Sequence, residues 1–205
     1  GIYTDEMAHL ALAFAYQAGV AIEHARLYEQ ALSASERRAI LHQASEEIAR
    51  ASQNPDQVYE TVHRATARLM PAEAFAITLL DENLREAEAV YLFDRGGRWP
   101  SQSFPSDQGL SGQVVSSGRS ILIDDLSKQS NPAGIHFGET EEVRAILSVP
   151  LRLGDKVIGM LSTQSYASDA YDAEDQTLLE MLAAHAAVAI ENSRLYAQTL
   201  QRLKE

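Results

Sequence analysis

The chain has no cysteine among its 205 residues. Thiol nucleophiles, thiolate metal centres, disulfides and thioether-linked chromophores are therefore all excluded. The absence also fits a reducing compartment, and a cytoplasmic location is expected. Basic residues are few: 17 Lys and Arg face 29 Asp and Glu, for a net charge of −12, and the cations are scattered. Binding to a phosphate backbone needs a clustered basic face, so no nucleic acid partner is expected. No apolar run approaches the roughly 20 residues that a bilayer span requires. The Ala-rich opening stretch is interrupted by His9, Gln17, Glu23 and His24, so no direct membrane contact is expected. No charged-then-apolar targeting leader follows Gly1.

Catalytic signatures are also missing. The glycines near Gly109 and Gly112 lack the lysine of a nucleotide-hydrolysing phosphate loop. No His-x₃-His pair occurs. Glu6 with His9 and Glu60 with His63 have the spacing of carboxylate-bridged metal bundles, but two-residue matches arise easily by chance, and no metal is expected. Asp124 and Asp125 are adjacent at a strand end, where neighbours point to opposite faces. They are poorly placed to share a substrate proton, and either one would serve as a cap or a partner for Arg144. No catalytic residue is assigned, and the chain is read as a non-enzyme.

What the sequence does contain is a repeat of itself. A shift of 168 positions lays Tyr3–Leu32 over Tyr171–Leu200, and 14 of the 30 positions match. Val20-Ala21-Ile22-Glu23 falls on Val188-Ala189-Ile190-Glu191, and Arg26-Leu27-Tyr28 on Arg194-Leu195-Tyr196. The second copy follows a full domain's worth of chain. Residues 1–32 are therefore expected to be the closing helix of a preceding domain of the same kind, and residues 33–205 the domain itself, ending in a long helix.

Hydrophobic spacing supplies the elements. Thr4 is the expected N-cap of the first helix, followed by the favourable acids Asp5 and Glu6. From there to about Ser52 small or apolar residues recur every three and four positions: Ala11, Phe14, Ala18, Ala21, Ala25, Tyr28 and Leu32. That is a heptad seam. It predicts one continuous helix about 70 Å long, with Ser33 and Ser35 as the place where it would break. Asn54-Pro55-Asp56 ends it, and Gln57–Met70 is a shorter amphipathic helix. Ala74–Asp81 reads as a buried strand, paired with Glu86–Phe93 in a hairpin, and residues 95–107 as a loop. A short helix over Gln108–Ser117, a strand over Ser120–Ile123 and a long irregular stretch over 126–141 follow. Val143–Arg152 and Lys156–Gln164 form a second hairpin around Gly154-Asp155. Asp172 caps the final helix, whose seam runs through Leu182, Ala186, Ala189, Ser193, Tyr196 and Leu200.

This order resembles the GAF domain of sensory proteins. So do Gly109-Leu110-Ser111-Gly112 with Val114 and Gly118, Ile121 through Asp125, Ser148-Val149-Pro150-Leu151, Val157-Ile158-Gly159, and Ala189-Ile190-Glu191-Asn192. The resemblance implies an α+β fold with a mostly antiparallel sheet of five to six strands. The long terminal helices would bundle on one face, and the short helix and loops would cover a ligand pocket on the other. It also implies a regulatory small-molecule sensor in a multidomain signal-transduction chain, of the kind found in two-component systems. Binding would be coupled to rearrangement of helices in a homodimer that meets its copy through both terminal seams. Adjacent GAF and output domains would be further partners; a ligand-free dimerisation spacer is the alternative. Covalent bilin attachment and thiol-dependent sulfoxide reduction, known in the family, both fail for want of cysteine. No covalent cofactor is expected, and the non-covalent ligand is unidentified. Tyr171-x₃-Asp175-Gln176 keeps only part of the family's cyclic-nucleotide pattern. The expected pocket residues are Trp99, Phe104, Leu122, Asp124, Ile135, His136, Phe137, Arg144, Ser148 and Thr163. Some family members bind haem through a histidine near here, so that His136 is read as a loop residue, a polar ligand contact or an iron ligand.

Overall fold

The computed structural model describes residues 5–51, 53–81, 83, 85–128 and 142–203. Thr4, the expected first cap, lies outside them. The chain divides into two compact units, Gly1–Ala39 and Ile40–Glu205. Helix α1 (Asp5–Arg50) is continuous through Ser33 and Ser35. In the first unit, every residue from 9 to 33 is exposed.

The second unit begins with the end of α1, where Leu41, Ala44 and Ile48 enter the hydrophobic core. Their three-four spacing points one face of the helix inward. Helix α2 (Pro55–Leu69) starts where Asn54 caps the Asp56 amide and Pro55 fills a first-turn position that needs no N–H donor. Val58, Val62 and Ala65 carry its buried face.

Strands β1 (Ala74–Leu80), β2 (Glu86–Asp94), β3 (Gly97–Trp99) and β4 (Gln102–Pro105) follow. Helix α3 (Gly109–Ser117), strand β5 (Ile121–Ile123), a 3₁₀ turn (Leu126–Lys128), strands β6 (Ala145–Leu153) and β7 (Lys156–Ser165), and helix α4 (Ala173–Arg202) complete the unit. All pairings are antiparallel, in the order β3-β2-β1-β7-β6-β5, with β4 also pairing to β2. The sheet thus has seven strands instead of five to six. The two additions lie in 95–107, expected to be a loop. Strands of three and four residues beside Pro100 and Pro105 are too short to show a period, and the edge is where proline is tolerated in a sheet.

β1 is buried along its whole length, as its near-continuous apolar run requires. One sheet face packs under α4, which lies on β6, and α2 packs against α4. Within that core His63 stacks on Phe75 at a centroid distance of 4.7 Å, and its Nδ1 lies 3.0 Å from the Tyr91 hydroxyl. Helix α3 lies over the opposite face of β6 and β7. Its left-handed cap, Gly118, accepts a hydrogen bond of 2.6 Å from the Arg152 guanidinium through its carbonyl.

Candidate functional site

Strand alternation separates two surfaces of the sheet. Toward the terminal helices point Phe75, Ile77, Leu147, Val149 and Leu161. The intervening residues face α3 and define the candidate site. Register places Leu92, Ala76, Ser162, Ser148 and Ile121 in one row across five strands. The adjacent row runs Asp94, Ala74, Gln164, Ile146, Ile123.

Ser148 and Ser162 are both 1% exposed, and the Ser148 hydroxyl donates to Ser162 Oγ at 2.9 Å. The Gln164 amide nitrogen sits 3.5 Å from the same oxygen. Thr78, also buried, shares this face, with Met160 as its cross-strand partner. The centre of the face is therefore uncharged: hydroxyls and an amide among Ile146, Met160 and Ala76. Such groups can orient a small molecule by hydrogen bonds inside an apolar surround. They offer no group that titrates near neutral pH and so no general acid or base. The charge on this face is at its edge, where buried Asp94 accepts a 2.6 Å hydrogen bond from the Tyr166 phenol and the Arg95 guanidinium lies 3.9 Å over the Tyr166 ring.

Two glycines set the geometry. A β-carbon on Gly112 would overlap the Asp107 backbone, so α3 can follow its approach loop this closely only without a side chain. Gly159 is packed in the same way against the backbone of β1. What approaches this in-strand glycine is thus a neighbouring strand.

The expected pocket residues divide between surfaces. Ser148 lies at the centre of the α3-facing surface. Trp99 pairs with Leu92 and is 37% exposed, while Phe104 packs against Ala76, Ala89 and Leu92. At about 4.8 Å per strand step, the four steps from β6 to β4 put Ser148 and Phe104 roughly 19 Å apart. Their backbones are that far apart, but the Phe104 side chain packs on Ala76, two strand steps from Ser148. Leu122 and Thr163 belong to the other surface. Leu122 sits opposite Leu147 and packs into the helix-side core, and the Thr163 hydroxyl donates to the Pro71 carbonyl at 2.7 Å. Asp124 and Arg144 are exposed. Their backbones are tied, with Asp124 O accepting from the Asp169 amide and Arg144 O from the Leu126 amide. Asp125 caps the 3₁₀ turn through Ser127 and pairs with Lys128 at 3.4 Å, and the Ser127 hydroxyl, its strongest influence, holds its carboxyl below the usual range. Ile135, His136 and Phe137 lie outside the described residues.

The expected dimer seam also divides. Leu182, Ala186, Ala189 and Ser193 are buried in this chain's own core, at 0–4% exposure, which corrects their assignment to a surface between copies. Tyr196 and Leu200 are exposed, at 44% and 40%. Ala11, Phe14, Ala18, Ala21, Ala25, Tyr28 and Leu32 are all exposed. Ser162, Gln164 and Asp94 were missed among the site residues. Only the cross-strand register, which pairs Ser162 with Ser148, draws attention to the first.

A mostly antiparallel sheet between a layer of long helices and one short glycine-bracketed helix defines a class of small regulatory and ligand-binding domains. The GAF domain family model matches residues 52–191, and the chain belongs to that family. Solved structures agree on the fold. The GAF domain of an Acinetobacter phosphoenolpyruvate-protein phosphotransferase is 20% identical, with a TM-score of 0.64 over 78% of this chain and 95% of that one. Free methionine-R-sulfoxide reductase from Neisseria meningitidis, solved in complex with its substrate, is 21% identical, with a TM-score of 0.63 over 80% and 93%. A putative GAF sensor protein from Burkholderia vietnamiensis is 15% identical, with a TM-score of 0.61 over 78% and 98%. GAF domains form a signal-transduction and sensor module family.

Proposed function

We propose that this chain is a regulatory module that binds a small, largely uncharged molecule on the sheet face beneath α3 and passes the event to its terminal helices. The observation that carries this is the buried Ser148–Ser162–Gln164 group, polar but uncharged, at the centre of a face whose only charge, among the described residues, lies at its edge. Ser148 lies on β6, whose opposite side carries Leu147 and Val149 into the core under α4. A ligand that displaces β6 therefore acts directly on the packing of α4. To move such a switch from 1:99 to 99:1, the ligand must prefer one state by about 5.5 kcal/mol.

The module would act in a cytoplasmic multidomain protein with catalysis in an output domain. The sulfoxide reduction named for the Neisseria relative is not transferred, because a thiol-dependent reduction has no cysteine here. Among the described residues no helix is long and apolar enough to cross a membrane. A second copy would meet α4 on its exposed apolar residues Met181, Val188 and Leu195, which recur at seven-residue spacing.

The second reading is a ligand-free spacer. It is favoured by the two serines satisfying one another while almost completely buried. Native mass spectrometry of the purified chain, joined to thermal-shift screening against neutral metabolites, separates the two. The sensor reading expects a bound mass, or a stabilisation that Ser162→Ala abolishes. Silence across a broad library favours the spacer.

A further inference from the structure

The repeat has a structural consequence once the burial of α4 is known. Nine residues of α4 are buried in the core of their own domain. Their counterparts 168 positions earlier are all Leu, Ile, Phe, Ala or Gly, and include Leu10, Phe14, Ala18, Ala21, Ile22 and Ala25. In α1 every one of these is exposed: Leu10 at 59%, Phe14 at 64%, Ile22 at 69%. The polar side of the repeat is kept as well. Glu191 and Arg194 of α4 are half-buried beside the sheet and pair at 4.0 Å, and their exposed counterparts Glu23 and Arg26 pair at 2.9 Å. Both copies thus keep the same ion pair beside a broad apolar face, and a polar solvent face carrying His185 and Asn192 in α4 and Gln17 and His24 in α1. A two-residue coiled-coil seam is narrower than that face. Large contiguous apolar surface of this kind marks a buried partner surface.

We infer that the face of α1 carrying Leu10, Phe14, Ala18, Ala21, Ile22 and Ala25 is the core face of a separate domain of the same fold, and packs on that domain's antiparallel sheet as α4 packs on this one. The occupant is a sheet surface of branched and aromatic apolar residues, like the one Phe75, Leu147 and Val149 present to α4. The assignment replaces a dimer seam at these α1 positions, because the equivalent positions in α4 from Leu182 to Ser193 do not reach a second copy. It stands apart from the ligand proposal, which concerns the other side of the sheet.

The absence of native cysteine makes the test direct. Single variants Ala18→Cys and Ala21→Cys report the apolar face; Gln17→Cys and His24→Cys report the solvent face. Maleimide labelling rates are measured in the 205-residue chain, over a range of concentrations, and in the full-length protein encoded by the gene. The expected result is rapid labelling at all four sites in the 205-residue chain. In the full-length protein, Ala18→Cys and Ala21→Cys should be slowed at least tenfold relative to the other two. Equal rates at the four sites in the full-length protein would overturn the inference. So would protection in the 205-residue chain that grows with concentration, since a second copy would then be the cover.

Discussion

Gly159 on β7 lies against the carbonyl of Thr78 on β1, so closely that a β-carbon there would overlap that oxygen and come within 3.0 Å of Leu79 Cα. The obstacle is backbone in the centre of the sheet, where no side chain can swing aside. Gly159→Ala should therefore lower stability by about 1–3 kcal/mol, the usual cost of overpacking. Gly97→Ala would meet only an ordinary 3.6 Å contact and should change little. Urea denaturation of both variants checks the contrast, and equal midpoints would refute it.

The Ser148–Ser162 pair gives a second prediction. Ser148→Ala removes the donor that Ser162 faces in the buried register, at a cost of about 1 kcal/mol. Ser162→Ala should cost a similar amount. The double variant should cost less than the sum, because neither hydroxyl is then left without the other. A double-mutant cycle by chemical denaturation measures the difference, and strict additivity would rule out the coupling.

Acid should weaken the helix-side core through His63. Burial, the dominant influence, lowers its imidazole pKa below the ordinary 6.5. Between that lowered value and 6.5 the unfolded chain binds the proton and the folded chain does not. The contribution is thus complete above pH 6.5 and is lost as the pH falls through the window. Stability measured from pH 7 to 5 should decline more steeply for the native chain than for His63→Gln. Parallel profiles would assign the decline to other groups.

The start of α4 rests on Asp172, whose carboxylate accepts from the Glu174 and Asp175 amides at 2.8 and 3.0 Å, while Asp175 returns a bond to the Asp172 amide. Asp172→Ala should cost about 1 kcal/mol. Asp172→Asn should cost less, since an amide oxygen still caps although the charge is gone. Thermal unfolding of the two variants tests the order.

The elements with strong local signals were legible from sequence. Asp172 announces a helix start by its own chemistry, and the nearly all-apolar run Ala74–Leu80 reads as a buried strand. Asn54-Pro55-Asp56, read as the end of the first helix, also opens α2, two residues before the expected Gln57. The α4 seam was misleading for a definite reason. Apolar residues every three or four positions describe both a helix on its own sheet and a helix against a second copy, and Leu182, Ala186 and Ala189 took the first role. Leu122 and Thr163 lie on the helix side of the sheet and not under α3, because strand alternation shows which residues share a face but not which face lies under the short helix.

Sequence alone fixed the absence of thiol chemistry, the acidic balance, the repeat and the order of helices and hairpins, since each depends on residue identity or on spacing along the chain. The composition of the site was decided in three dimensions. A regular hairpin continuing the pairs Leu153–Lys156 and Arg152–Val157 would set Ser148 opposite Leu161. The register shifts between Leu151 and Arg152, Ile158 becomes the extra residue, and Ser148 meets Ser162 instead. A one-residue slip exchanges the two faces of a strand. Nothing local to those residues announces the bulge, which appears only in the pairing of β6 with β7.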